Sequence, residues 1–167
     1  MTAHIEVTLD DTEVMQMMGM VLARGKSLQP ALAAFGDYLI KVTKDRFETE
    51  QDPEGKPWPE LSEYYETNIK KGSGILTEST DLRASFHWVA DATSLRMGTD
   101  RPYAAAQQLG LKKELNIKSH QRKTRTSTTT VKAHTRKVDM PARRFLGFTD
   151  QDRVELRETI KDHFLKD

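Results

Sequence analysis

A chain of 167 residues that is 37% hydrophobic and 31% charged has room for one modest core and carries much solvated surface. It contains no cysteine, which excludes disulfides, thiolate metal sites and a cysteine nucleophile. The net charge of +1 hides a segregation: residues 1–111 hold 11 Lys+Arg against 17 Asp+Glu, residues 112–144 hold 11 against 2, and residues 145–167 hold 4 against 6. Opposite charge on separate parts of one small chain points to nucleic-acid contact or to head-to-tail pairing between identical copies. The plainer alternative is a mobile basic loop with no partner. Residues 1–10 lack the basic-then-apolar pattern of a secretion signal. No apolar run approaches the roughly 20 residues that span a bilayer. The expectation is a soluble, cytoplasmically made protein without membrane contact.

Taken in chain order, Ile5, Val7 and Leu9 alternate with polar residues and predict a short strand. Asp10, Asp11 and Thr12 offer caps for a helix whose stripe is Val14, Met17, Met18, Val21 and Leu22, with Gly25 to end it. Ser27 caps a longer helix, with Pro30 in its first turn and Leu28, Leu32, Phe35, Leu39 and Val42 on one face. The segment from Asp52 to Pro59, with three prolines and a glycine, is a loop that stiffens the backbone around Trp58. A short helix is expected from Ser62 to about Lys71, stopped by Gly72-Ser73-Gly74, and another helical turn from Thr80 to Ser85. Phe86, Trp88 and Ala90, then Leu95 and Met97, flank the turn Asp91-Ala92-Thr93 and predict an antiparallel hairpin. Pro102 to Leu109 reads as a short helix closed by Gly110.

From Lys112 to Met140 the pattern predicts a second hairpin. Leu115 and Ile117 lie on one strand, Thr129, Val131 and Ala133 on the other, and a basic, mobile tip spans residues 121–127. Thr149 and Asp152 form a capping-box start for a last helix with the stripe Leu156, Ile160 and Phe164. The sum is one α+β domain over residues 1–167: an antiparallel sheet packed against two or three helices, with a basic β-hairpin extension at 112–140.

Chemistry-bearing constellations are sparse. His4, His87, His120, His134 and His163 show no metal-ligand spacing; His120 and His134 could meet across the basic hairpin, but two imidazoles alone make a poor site. Glu48, Glu50, Asp52 and Glu54 lack the ligand order of a calcium loop and read as a solvated acidic surface, or as a dock for another copy's basic hairpin. Gly72-Ser73-Gly74 is neither a phosphate loop nor a nucleophile elbow. The methionines Met15, Met17, Met18 and Met20 fill a core or form an adaptable binding face. The expectation is no enzyme, no cofactor, no metal and no small-molecule substrate.

Four separated segments add a resemblance. They are Pro53-Glu54-Gly55-Lys56-Pro57-Trp58-Pro59-Glu60-Leu61; Ile75-Leu76 with Leu82-Arg83-Ala84-Ser85; Tyr103-Ala104 with Gly110; and Pro141-Ala142-Arg143-Arg144-Phe145-Leu146-Gly147. In this order the chain resembles the phage virion-morphogenesis family, also called tail-completion proteins, of Mu-like and related contractile-tailed phages. That family often has glycine where Thr80 stands, and the 112–140 stretch carries little of its signal. The resemblance implies a role in finishing the tail and joining it to the filled head, with tail and head-neck proteins as partners and no catalysis.

The charge split itself suits a ring at the neck, in which one patch on each copy meets a different patch on the next. Expected contact residues are Trp58, Lys118, Arg122, Lys123, Arg125, Arg143, Arg144 and Phe145. For Phe145 the alternative is a place in the core, and Trp58 is expected to be buried against the long helix. The rival function is a nucleic-acid-binding module in which Lys118, Arg122, Lys123 and Arg125 meet phosphates of passing DNA.

Overall fold

The computed structural model describes residues 12–23, 25, 27–68, 74–123 and 127–165. The strand expected at Ile5–Leu9, the stretch from residue 69 to 73 and Arg125 lie outside the described residues, as do the side chains of Leu22 and Phe164.

The first two elements follow from their periodicity. Helix α1 spans Thr12–Ala23, and Gly25 takes the left-handed conformation (φ 73°) that turns the chain after it. Helix α2 spans Gln29–Thr49, and its buried face continues to Phe47. Pro30 sits in its first turn, and the Ser27 hydroxyl accepts the Gln29 N–H at 3.2 Å. A short α3 (Glu63–Asn68) and a single turn α4 (Asp81–Ala84) follow the proline-rich loop. Strands β1 (Phe86–Ala90) and β2 (Leu95–Thr99) pair antiparallel with Trp88 opposite Met97. Asp91 closes their turn by accepting the N–H groups of Thr93 and Ser94. After α5 (Ala104–Leu109), four strands alternate, and α6 (Asp150–Leu165) ends the described chain.

Two apolar clusters form the interior. The first joins Val14 and Val21 of α1, Leu28, Ala31, Leu32 and Phe35 of α2, and Leu156 and Ile160 of α6. Met17 and Met18 pack against it, whereas Met15 and Met20 are 59% and 58% exposed. The second gathers Phe47, Trp58, Ile75, Leu82, Phe86, Ala104, Phe145 and Leu146. The β1–β2 hairpin lies on α2, and a glycine makes this possible: a Cβ on Gly36 would come within 2.6 Å of the Trp88 ring. Glycine within a helix costs about 1 kcal/mol against alanine. Here it lets the indole lie on the helix backbone, while its Nε1 donates to Asp37 at 2.9 Å.

The basic extension is a two-stranded ribbon. Strand β3 (Leu111–Ile117) pairs with β6 (His134–Met140), and β4 (His120–Lys123) with β5 (Thr128–Val131). Leu111 faces Met140, Ile117 faces His134, His120 faces Val131 and Lys123 faces Thr128, so one register runs throughout. The strands are longer than the alternating residues suggested. Residues 121–123, expected in the tip, belong to β4 because pairing satisfies backbone groups that a long loop would leave to water. Leu115 and Ile117 accordingly face Arg136 and His134 rather than residues 129–133. At roughly 3.3 Å per residue the ribbon is about 40 Å long. Among the described residues no helix packs extensively along either ladder.

One backbone feature yields a test. Thr80 has φ 55°, in the left-handed region, and its side chain makes no capping bond. This is the position where the resembled family often has glycine. A left-handed conformation costs a non-glycine residue about 1–2 kcal/mol, and glycine's extra chain entropy offsets part of the relief. Thr80→Gly should therefore raise stability by roughly 0.5–1 kcal/mol in urea unfolding; a clear loss would contradict the strain.

Candidate functional site

The proline-rich loop is built by local bonds. Helix α2 ends at Glu50, whose backbone is left-handed (φ 54°) and whose N–H donates to the Arg46 carbonyl. Asp52 Oδ1 accepts the N–H groups of Glu54 (3.0 Å) and Lys56 (2.8 Å), and Gly55 turns the chain with φ 78°. Trp58 N–H then donates to the Glu50 carbonyl at 2.8 Å. The loop thus folds Trp58 back onto Phe47, edge to face at 5.3 Å between ring centroids.

Onto this loop is laid the extended segment 141–147, the continuation of β6. Gly147 is packed so closely that a Cβ there would lie 2.4 Å from Pro53 Cγ. Trp58 Nε1 donates to the Arg144 carbonyl at 2.9 Å. The Arg143 guanidinium donates to the carbonyls of Pro59 (2.8 Å) and Glu60 (2.9 Å). Gln108 of α5 clamps the segment from the other side. Its Oε1 accepts the N–H groups of Phe145 (2.9 Å) and Leu146 (3.0 Å), and its Nε2 donates to the Leu146 carbonyl (2.7 Å).

The remaining carbonyls are held from α2. Arg46, 7% exposed, donates through Nη1 to the carbonyls of Phe145 (3.0 Å) and Gly147 (3.1 Å), and its Nη2 lies 3.6 Å from Asp152 Oδ2. Burial lowers the Arg46 pKa from its ordinary value, and the Asp152 charge opposes that shift. Asp152 also caps α6, accepting from Thr149 N–H and Thr149 Oγ1, both at 2.8 Å, and Thr149 Oγ1 accepts the Asp152 N–H at 3.1 Å. The capping box read from the sequence is therefore present, and it is wired into the core. Tyr38 donates to Asp152 Oδ1 at 3.0 Å; burial and then that carboxylate push its pKa up to about 12.

The expected contact residues divide on this geometry. Phe145 has no exposed surface, and Trp58 and Arg143 are each 4% exposed. All three are packed into this chain's own interior. Arg144 is exposed and forms a two-bonded pair with Glu54 (3.0 and 2.9 Å). Lys118, Arg122 and Lys123 are exposed along the ribbon, and Arg125 lies outside the described residues. The acidic surface is largely engaged at home. Glu48 pairs with Arg83, Glu50 accepts the Ile75 N–H, Asp52 holds its loop and Glu54 holds Arg144. His120 and His134 stand on different rungs of the ribbon and do not face each other. Among the described residues there is no cluster of three potential metal ligands, and no helix long and apolar enough to cross a membrane.

Sequence reasoning missed Arg46 and Gln108. The available signals were positional. Arg46 lies two turns after Leu39 on the apolar stripe of α2, and Gln108 lies one turn after Ala104.

An α+β body whose buried polar groups converge on one strap, with a cationic ribbon growing from that strap, defines a chain organised around an appendage. A model of the phage virion morphogenesis family matches residues 9–165. The chain belongs to the phage virion morphogenesis family, and its role is that of a structural, assembly protein of a bacteriophage virion. No curated protein and no solved structure gave a match.

Two outcomes are expected. Arg46→Leu leaves Asp152 buried beside Tyr38 without its cation and removes the donor to two carbonyls, and should cost about 3–5 kcal/mol in urea unfolding; a cost below about 1 kcal/mol would show that the strap holds without it. The second concerns alkaline pH. A tyrosine with a raised folded-state pKa binds its proton more tightly when folded, so its contribution is complete below about pH 10 and declines as pH rises toward 12. Wild type should lose stability across that window more steeply than Tyr38→Phe; parallel curves would contradict the Tyr38–Asp152 bond.

Proposed function

We propose that this chain completes the tail and joins it to the head, acting as a closed ring of identical copies at the head–tail junction. Its partners in that reading are other copies of itself and the tail and head-neck proteins it meets. The observation that carries the reading is the placement of charge. The basic segment stands out from the body as a ribbon, whereas the acidic excess belongs to the body. The two acids of the ribbon are already paired across its rungs, Glu114 with Lys137 and Asp139 with Lys112, each at 3.4 Å. Lys118, Arg122 and Lys123 have no carboxylate partner among the described residues and are available to another surface.

Such a surface repels itself in one copy and complements the next copy in a ring. Exposed ion pairs contribute roughly 0–1 kcal/mol each, so several must act with an apolar contact, and association weakens as salt rises. No membrane and no small-molecule substrate enters this reading, and the reading makes the chain a non-enzyme.

A second reading rests on the same exposed cations. The ribbon could face the channel and meet passing DNA, contacts that would be non-specific and strongly salt-dependent. Salt-sensitive retention of purified protein on DNA would favour it.

Electron micrographs of particles made without this protein should show filled heads and tails that are not joined. Joined, infectious particles in its absence would overturn the proposal. Changing Arg122, Lys123 and Arg125 together to glutamate should leave the unfolding curve unchanged and abolish infectious particles. Full infectivity of that variant would remove the ribbon from the function.

A further inference from the structure

At the foot of the ribbon, between its last rungs and α3, lies an open groove of about 650 Å³. Its walls include Leu61, Tyr65, Leu76, Tyr103 and Met140, and Glu60 and Glu78 stand on its rim. The mixture of tyrosine, methionine and aliphatic surface with a charged margin is that of a protein–protein contact centre. Tyr103, Leu109 and Leu111, exposed at 43%, 74% and 37%, extend the apolar surface where α5 meets β3.

Two further features mark the groove. Leu76 holds a left-handed backbone (φ 62°), a costly conformation for a bulky residue and one that tends to occur at binding sites. Gln107 lines the groove, and its Oε1 is shielded from water with no hydrogen-bond partner among the described residues. A buried acceptor without a donor is uncommon.

We infer that this groove is the seat for the ribbon tip of a second copy of the chain. The inference rests on the ring reading above and names its contact. The first argument is length. Equivalent points on adjacent copies in a ring are separated by about one subunit width. A body of roughly 140 residues has a radius of gyration of about 14 Å and hence a width of roughly 37 Å. The ribbon, about 40 Å from its foot to Lys123, is long enough to span that distance.

The second argument is charge and bonding. The tip brings Arg122 and Lys123, donors only, and the exposed lining of the groove offers the carboxylates Glu60 and Glu78 beside Arg136 and Asp139, the last already paired with Lys112. The carboxylates from Glu48 to Glu54 are engaged within their own chain, whereas Glu60 carries no ion pair among the described residues and Glu78 accepts only the Tyr65 hydroxyl. The third is stability. A two-stranded ribbon is marginal alone in water and gains order when something covers it.

The absence of cysteine makes the test clean. Lys123→Cys places one thiol near the tip, and Ser79→Cys places one on the groove. Mixed single variants, assembled in particles and treated with a short bis-maleimide linker, should give a dimer band joining the two. Its yield should exceed by about tenfold or more that of a control mixture of Lys123→Cys with Glu48→Cys, because a seated pair reacts at high effective concentration. Particles that contain the protein as a ring but give no tip–groove product above the control overturn this inference and leave the ring reading intact. A product joining the tip to the Glu48 position in equal or greater yield also overturns it. Particles in which no two copies of the chain are neighbours overturn both.

Discussion

The Arg46 guanidinium is the point on which the rest of the structure turns. Burying a cation is costly unless every donor is met. Here the buried side of the group reaches the carbonyls of Phe145 and Gly147 and the carboxylate of Asp152. One side chain therefore fixes the segment 141–147 to α2 and ties α6 to both. The two apolar clusters lie on either side of this polar joint, Phe35, Leu156 and Ile160 in one and Phe47, Phe145 and Leu146 in the other. Neither cluster alone would set how the strap crosses between them, since apolar packing is non-directional. The directional bonds of Arg46, Gln108, Arg143 and Trp58 select one path.

That constraint reaches the surface through the chain itself. The last residue of β6 is followed directly by the strap, so the ribbon's foot inherits the strap's position. The proline-rich loop and the segment ending in Gly147 are distant in sequence yet meet as one unit, through Pro53 against Gly147, Glu54 against Arg144 and Trp58 against the Arg144 carbonyl. Side chains whose chemistry suggested partner contact in the sequence thus hold the base from which the exposed cationic ribbon projects. Arg143 and Phe145 fix the strap from which the ribbon leaves the body, while Lys118, Arg122 and Lys123 carry exposed charge outward.

Much of the body was legible because burial leaves a period. The α2 stripe, the β1–β2 alternation around the Asp91 turn and the Thr149–Asp152 cap each couple a local rule to one buried face. The ribbon was legible only in outline. Strand β6 has mostly exposed side chains, with Val138 and Met140 half-buried, so no alternation marked its limits and its pairing with β3 had to come from register. The strap was illegible for another reason. An extended segment with no regular structure draws its partners from α2, α5 and the Trp58 loop at once, and no local spacing announces such contacts. Phe145 could be read either way beside two arginines; the position of Gln108 and Arg46 decides that it is core. At Thr80 the sequence suggested the start of a helical turn, whereas the residue stands before that turn with a left-handed backbone.

The central claim is that a rigid strap carries a ribbon whose order is completed by a neighbour. Amide hydrogen exchange on the dilute protein and on assembled particles tests it most directly, because exchange reports local opening residue by residue. The account predicts that the Phe145 and Leu146 amides, held by Gln108, exchange only through global unfolding in both samples. It predicts that the amides of β4 and β5 exchange quickly in the dilute protein and become protected in the particle. Fast exchange at Phe145 and Leu146, or ribbon amides equally exposed before and after assembly, would contradict it.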